Sequence, residues 1–345
     1  MVRRASLVVA AASVSRADRT IAMYHAALED PALASASAMV LASGQRDARA
    51  VFGERPLCVS LRPNLVTRAD LRATTQASEI LYGALGRLEG ALLADEDLRR
   101  ELDLDPEEER LALADPGYRA ASPSSRLDGF VTDGVIRYVE YNAESPAGMA
   151  YNDVLVGIFE RMPVMRAFKR RYRAHPLRAA RRQLTAMRRA HRRKIGSIAI
   201  VDWRGLPTLT EFEMFQRIFM EQGVRTVICA PEDLRYRGSR LRAGGVAVDL
   251  VYRRVLLSEL LAKPAVARPL LDAYLAGDVT VVNSFRAKLL HKKMSLALLS
   301  DDRYATLYTP LQRRAIARHI PWTRKVREGH TTHAAKVIDL VDFVV

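Results

Sequence analysis

The chain has 345 residues, 49% of them hydrophobic and 27% charged, with a formal net charge of +15. That length holds one or two domains with a substantial core, and the balance is that of a globular protein, neither disordered nor fibrous. No run of about 18 apolar residues occurs, which excludes an apolar spanning helix, and two cysteines, Cys58 and Cys229, are too few for a disulfide framework and read as buried thiols in a reducing compartment.

The first fifteen residues, MVRRASLVVAAASVS, place two arginines before an apolar run at 7–12. The run is short for a secretion signal, so a cytoplasmic protein is expected, with the assigned start left open. Residues 1–55 read as two Ala-rich helices with turns at Asp30-Pro31 and Ser43-Gly44, and PLCVSL (56–61) as a short strand. A long helix is expected over 67–93, capped by Thr67, with Leu71, Ile80, Leu81, Leu85 and Leu88 as its buried stripe. Short acidic helices follow over 95–113, a loop over 115–125, a hairpin over 126–142 and an apolar helix over 149–159 packed beneath it.

Residues 166–194 hold thirteen Lys or Arg and no Asp or Glu, so removing them leaves a net charge of +2 for the rest. Leu177, Ala180, Leu184 and Met187 give this arm an amphipathic helical pattern after Pro176. A solvated connecting helix is the expectation. Phe168 and Tyr172 are its only aromatics, too few to stack on bases, so nucleic acid is not expected as a partner; an acidic partner or RNA is the alternative use of the arm.

From 195 onward strands and helices alternate. Strands are expected over 195–201, 224–230 and 279–283, helices over 208–222 (closed by Gly223), near Ser258, over 265–275 and over 286–299. Extended segments 236–241 and 246–252 flank a Gly244-Gly245 turn, and an irregular tail with exposed His330 and His333 ends the chain. This order implies a mainly parallel α/β sheet, whose ligands bind beyond the carboxyl ends of the strands. Asp202 and Arg204 follow the first strand. Arg253, Arg254, Asn283, Ser284, Arg286 and Lys288 follow later ones, and these strand-end positions are candidates for a carboxylated, peptide-like acceptor, since arginine offers a forked donor to carboxylates. The seven histidines show no metal spacing, and no nucleophile–histidine arrangement can be named.

The densest chemistry lies in residues 126–148, RLDGFVTDGVIRYVEYNAESPAG. Asp128, Glu140 and Asn142 are hard oxygen ligands suited to Mg2+, and Arg126 is a fixed cation suited to a phosphoryl oxygen. Arg126 shares a strand face with Asp128, and Glu140 with Asn142. A two-residue Asp133-Gly134 turn sets Asp128 opposite Val139 and puts Asp128 and Glu140 on opposite faces. A three-residue loop, Thr132-Asp133-Gly134, sets Arg126 opposite Glu140 and unites them, so that loop is expected.

R-x-D followed by E-x-N and a Ser-Pro segment resembles the metal-binding signature of ATP-grasp ligases. EYNAESPAG is similar to the corresponding segment of glutathionylspermidine synthase and bacterial glutathione synthetase. DLVYRRVLLSELL (249–261) and VVNSFRAKLLHKK (281–293) resemble a circularly permuted ATP-grasp branch, and the likeness spans roughly 126–324. It implies a partial ATP-grasp fold with a Rossmann-like pre-ATP-grasp unit, Mg2+ and ATP as cofactors, and ATP-dependent carboxylate–amine ligation through an acylphosphate. Asp128, Glu140 and Asn142 would hold the metal, Arg126 would touch the phosphates as the catalytic and nucleotide-binding cation, and Ser145 would lie near the acceptor. The implied layout is 1–165 with the metal hairpin, a basic connector 166–194, the pre-ATP-grasp domain 195–300 and a tail 301–345. In the permuted order a lysine strand and a Gly-rich flap should come late; neither occurs before Val345, nor does any Walker or dinucleotide loop. A relative without turnover is therefore the alternative. Partners are expected to be small carboxylate and amine substrates, with no membrane.

Overall fold

The structure, a computed structural model, describes residues 16–120, 122–132, 134–333 and 336–340. The N-terminal run considered as a signal lies outside them. The chain divides into two compact units, one of residues Met1–Ala73 with Val154–Leu177 and one of Thr74–Asp153 with Arg178–Val345.

The described part of the first unit is mainly helical. Asp30 caps the helix Pro31–Asp47 by accepting from the amides of Ala32 and Leu33, with Pro31 in its first turn. The turn expected at Ser43-Gly44 is absent; both lie inside this helix. Gly44 serves a close approach instead, because a Cβ there would stand 3.0 Å from the Ile158 side chain. Tyr24, Leu41, Ile158, Phe159, Met162, Val164, Met165 and Phe168 form the core. The strand expected at 56–61 is also absent: β1 (Val51–Phe52) pairs with β2 (Arg55–Pro56), and the following chain is tied by Gln45, whose amide bonds both backbone groups of Cys58 at 2.8 Å.

The second unit contains the parallel sheet. β5 (Ser197–Val201) lies between β6 (Arg225–Cys229) and β10 (Leu250–Arg253), and β11 (Thr280–Val282) adds beyond β10. SIAIV and LVYR are buried throughout, as strands covered on both faces must be. Phe215 and Phe219, from the helix Leu209–Glu221, meet Tyr252 on one face. Leu257, Leu260, Ala267, Leu270 and Tyr274 join the sheet's Val251 and Val281 in another cluster. From β5 the chain steps outward to β6, then returns across to β10 and β11. The winding therefore reverses between β5 and β10, the crevice where such sheets take ligands.

The helix Arg68–Ala94 buries Leu81, Leu85 and Leu88 as expected, against Tyr138, Tyr141, Leu289, Leu296 and Ile316; Leu71 stays exposed. The helix Ala180–His191 starts later than Leu177, which is 52% exposed, because Asp153 accepts from the amides of Ala179 and Ala180 and fixes the first turn. The segment expected as one strand over 236–241 is a hairpin, β7 (Leu234–Arg237) and β8 (Arg240–Ala243), turning at Gly238-Ser239, with β9 (Val246–Ala247) beside β8. The helix expected over 286–299 is broken, since Lys292 is extended (ψ 141°) between Lys288–His291 and Met294–Leu299. The tail is less irregular than expected. Thr309 and Gln312 form a reciprocal cap on the helix Pro310–His319, and His330 lies on β12 (His330–His333), paired with β13 (Lys336–Asp339).

Candidate functional site

β3 (Arg126–Thr132) and β4 (Val135–Asn142) form the expected hairpin with a different register. Thr132 pairs with Val135, so two residues separate the strands and the three-residue loop is corrected; Asp133 itself lies outside the described residues. Farther down, the ladder shifts. Gly129 pairs with Tyr138 but Asp128 pairs with Glu140, leaving Val139 as the extra residue of a bulge. Gly129 permits this, because a Cβ there would stand 2.7 Å from the Arg137 carbonyl oxygen. Beyond the bulge Asp128 faces Glu140 and Arg126 faces Asn142, so all four polar side chains share one face. Leu127 and Tyr141 turn to the opposite face and join the core. The convergence expected from the sequence is present, produced by a bulge and not by loop length. An isolated Gly in a strand is the signal that points to it.

On that face Arg126 forks onto Asp128, Nε to Oδ1 at 2.6 Å and Nη2 to Oδ2 at 2.9 Å, and its Nη1 donates to the Ala147 carbonyl at 2.7 Å. Asp128 beside it raises the already high pKa of Arg126, so the cation is permanent. Asn142 Nδ2 donates to Asp128 Oδ2 at 3.1 Å. The Glu140 carboxylate makes no hydrogen bond or ion pair among the described residues.

The segment after Asn142 is pinned almost residue by residue. The Ala143 carbonyl accepts from Ser122 Oγ (2.7 Å) and Asn283 Nδ2 (2.8 Å). Glu144 is buried and accepts at Oε1 from Arg253 Nη1 (2.7 Å) and the Leu257 amide (2.6 Å). Burial alone would push its carboxyl up, but Arg253 and then Lys288 hold it below the usual range. The Pro146 carbonyl accepts from Arg254 Nη1, and the Gly148 and Ala150 amides donate to Glu211 Oε1 at 2.7 and 3.2 Å. Between these anchors Ser145 is half-buried, and its hydroxyl makes no hydrogen bond among the described residues.

The strand-end candidates separate accordingly. Arg253 is fully buried and also donates to the carbonyls of Val255 (2.8 Å), Asn283 (3.1 Å) and Ser284 (3.4 Å). Asn283 bridges Ser124 and the 143–144 backbone. Arg254 lies buried over the Phe212 and Tyr252 rings. The Ser284 amide donates to Tyr118 Oη at 2.9 Å, and Arg286 Nη2 to the Ala114 carbonyl at 3.0 Å. These groups hold the loop and the strand ends together.

Two groups here, Glu144 and Glu211, go unnoticed in the sequence. Glu144 continues the alternation Glu140, Asn142, which is its one signal. Glu211 sits on the apolar face of its helix four residues before Phe215; burial pushes its carboxyl up against the pull of Arg254. Asp202, at the end of β5, is pushed up to about 6 by burial, offset in part by the Trp203 amide and Arg254. Among the described residues no group of three His, Cys, Asp or Glu could hold a metal, so a metal site here needs Asn142. Cys58 and Cys229 are free, half-buried thiols, and no described helix is long and apolar enough to cross a membrane.

No family model matches this chain, and no curated protein matches it. Among solved structures, the fold is similar to that of a glutathione synthetase-like effector from Globodera pallida in its apo form, with a TM-score of 0.52 and 11% identity over 82% of this chain and 70% of that one. The likeness is one of fold: a mixed α/β architecture of the glutathione synthetase-like kind.

Proposed function

We propose that the chain is an ATP-grasp-type, carboxylate–amine ligase-like protein and that the polar face of the β3–β4 hairpin is its Mg-nucleotide site. The observation that carries the reading is the bulged register, which sets Asp128 opposite Glu140 and Arg126 opposite Asn142 on one face. The residues fit a hard divalent cation. Two carboxylates and an amide supply oxygens, the Glu140 carboxylate has no hydrogen bond or ion pair among the described residues, and an amide rotation turns Asn142 Oδ1 toward the site. Mg2+ held by Asp128, Glu140 and Asn142 would neutralise phosphate oxygens and favour in-line phosphoryl transfer.

Arg126 is held at three points, by both Asp128 oxygens and the Ala147 carbonyl, so its guanidinium is oriented in advance of phosphate binding. Ser145 is the open hydroxyl of a fixed loop and is the group we assign to the acceptor. Arg253, Arg254 and Asn283 position that loop. The glutathione synthetase-like fold supports the ligase reading, with a small or peptide-like carboxylate and an amine as substrates.

Calorimetric titration with ATP tests it. Mg-dependent binding is expected for the native chain and a loss of at least tenfold in affinity for Glu140→Gln, with the fold unchanged by circular dichroism. Equal affinity for both would reject the site. A relative without turnover would give the same binding but no phosphate release with any carboxylate–amine pair.

A further inference from the structure

The β7–β8 hairpin carries four arginines on one face. Arg235 pairs with Arg242 and Arg237 with Arg240, so two like-charge pairs stand directly opposite each other, two residues apart along each strand. All four side chains are exposed, and none forms an ion pair among the described residues. Arg235 and Arg242 reach only backbone carbonyls, of Glu232, Leu234 and Gly245. The opposite face is apolar, with Leu234, Leu241 and Ala243 buried in the core beside Leu270 and Tyr274. The ribbon cannot turn over without exposing that face.

Like charges directly across a ladder destabilise it. The Cβ atoms of the four arginines therefore lie on a grid of about 5 Å across by about 7 Å along the ribbon, with no ion pair to a carboxylate among the described residues. A ligand with closely spaced anions relieves the repulsion, and guanidinium forks match phosphate. The turn, Gly238-Ser239 (φ 54° and 55°), offers no apolar side chain to insert into a bilayer. Tyr236, the hairpin's aromatic, lies on the other face with its hydroxyl on Asp278, so no platform for unpaired bases exists on the arginine face. We infer that this face binds duplex nucleic acid through its phosphates, independently of the nucleotide site. That departs from the partner expected from the sequence, in which the basic charge concentrates in 166–194 and residues 236–241 read as one strand.

Fluorescence anisotropy with a 20-base-pair duplex, as DNA and as RNA, tests it in the full chain. With four phosphate contacts, affinity should fall about a hundredfold between about 50 and about 200 mM salt. Arg235→Gln/Arg237→Gln/Arg240→Gln/Arg242→Gln should lose at least tenfold in affinity at low salt and most of that slope. A control in the helix Ala180–His191, Arg181→Gln/Arg182→Gln/Arg188→Gln/Arg189→Gln, should keep both. Because the ribbon variant removes repulsion, its melting temperature should not fall, which separates lost binding from lost folding. The DNA and RNA arms identify the source of the phosphates. No duplex binding at about 50 mM salt, full binding by the ribbon variant, or loss in the helix variant alone would overturn the inference, as would binding to anionic vesicles without binding to either duplex.

Discussion

At the scale of single residues, two buried charges decide how firmly the site is held. Glu144 and Arg253 are each within 1% of complete burial and meet at 2.7 Å. Both are desolvated, so their attraction approximately offsets the burial penalty, and breaking the pair leaves one charge stranded. Arg253→Met should destabilise the chain by about 3–5 kcal/mol, and the double variant Arg253→Met/Glu144→Leu by much less than the two single changes together. Urea midpoints read both, and additive losses would contradict the pairing. Asp202 acts in the opposite sense. Its folded-state pKa of about 6 lies above the ordinary 3.8, so between those values the folded chain binds the extra proton and stability falls as pH rises. Asp202→Asn should therefore gain about 2 kcal/mol at neutral pH, after allowance for solvent screening, and nothing below about pH 4. A gain independent of pH would rule out burial of the charge as its cause.

At the scale of elements, the hairpin was legible in composition and not in register. Arg126, Asp128, Glu140 and Asn142 announce a site by type and by two-residue spacing. Which face each pair takes depends on one inserted residue, and that residue lies beside Gly129 in the strand, not in the turn. Gly129→Val brings a Cβ against the Arg137 carbonyl. It should cost about 2 kcal/mol or more and, if the ladder regularises, turn Asp128 and Glu140 to opposite faces. Loss of Mg-ATP binding larger than the loss of stability explains is the expected signature; a variant as stable as the native chain with the site intact would show the bulge to be incidental. The β7–β8 hairpin failed for a related reason, since Arg237-Gly238-Ser239-Arg240 reads as a polar strand until two consecutive positive φ values turn it.

At the scale of the whole molecule, the alternation of apolar strands and amphipathic helices after residue 195 gave a parallel sheet because strands covered on both faces leave nearly unbroken apolar runs, such as SIAIV. The grouping of Val154–Leu177 with the N-terminal helices was not legible, because it rests on contacts such as Tyr24 with Phe168 between residues far apart in the chain. The residues expected to meet a substrate were legible as polar groups at strand ends, yet sequence does not distinguish an arginine facing a ligand from one that grips a loop from below, as Arg253 and Arg254 do. All of this converges on whether the hairpin face holds a metal–nucleotide. The most direct measurement is titration of ATP into the native chain, Asp128→Asn and Glu140→Gln, each with and without Mg2+. Saturable heat is expected only for the native chain with Mg2+ present; equal heats with and without the metal, or undiminished heats in both variants, would contradict a metal–nucleotide site on this face.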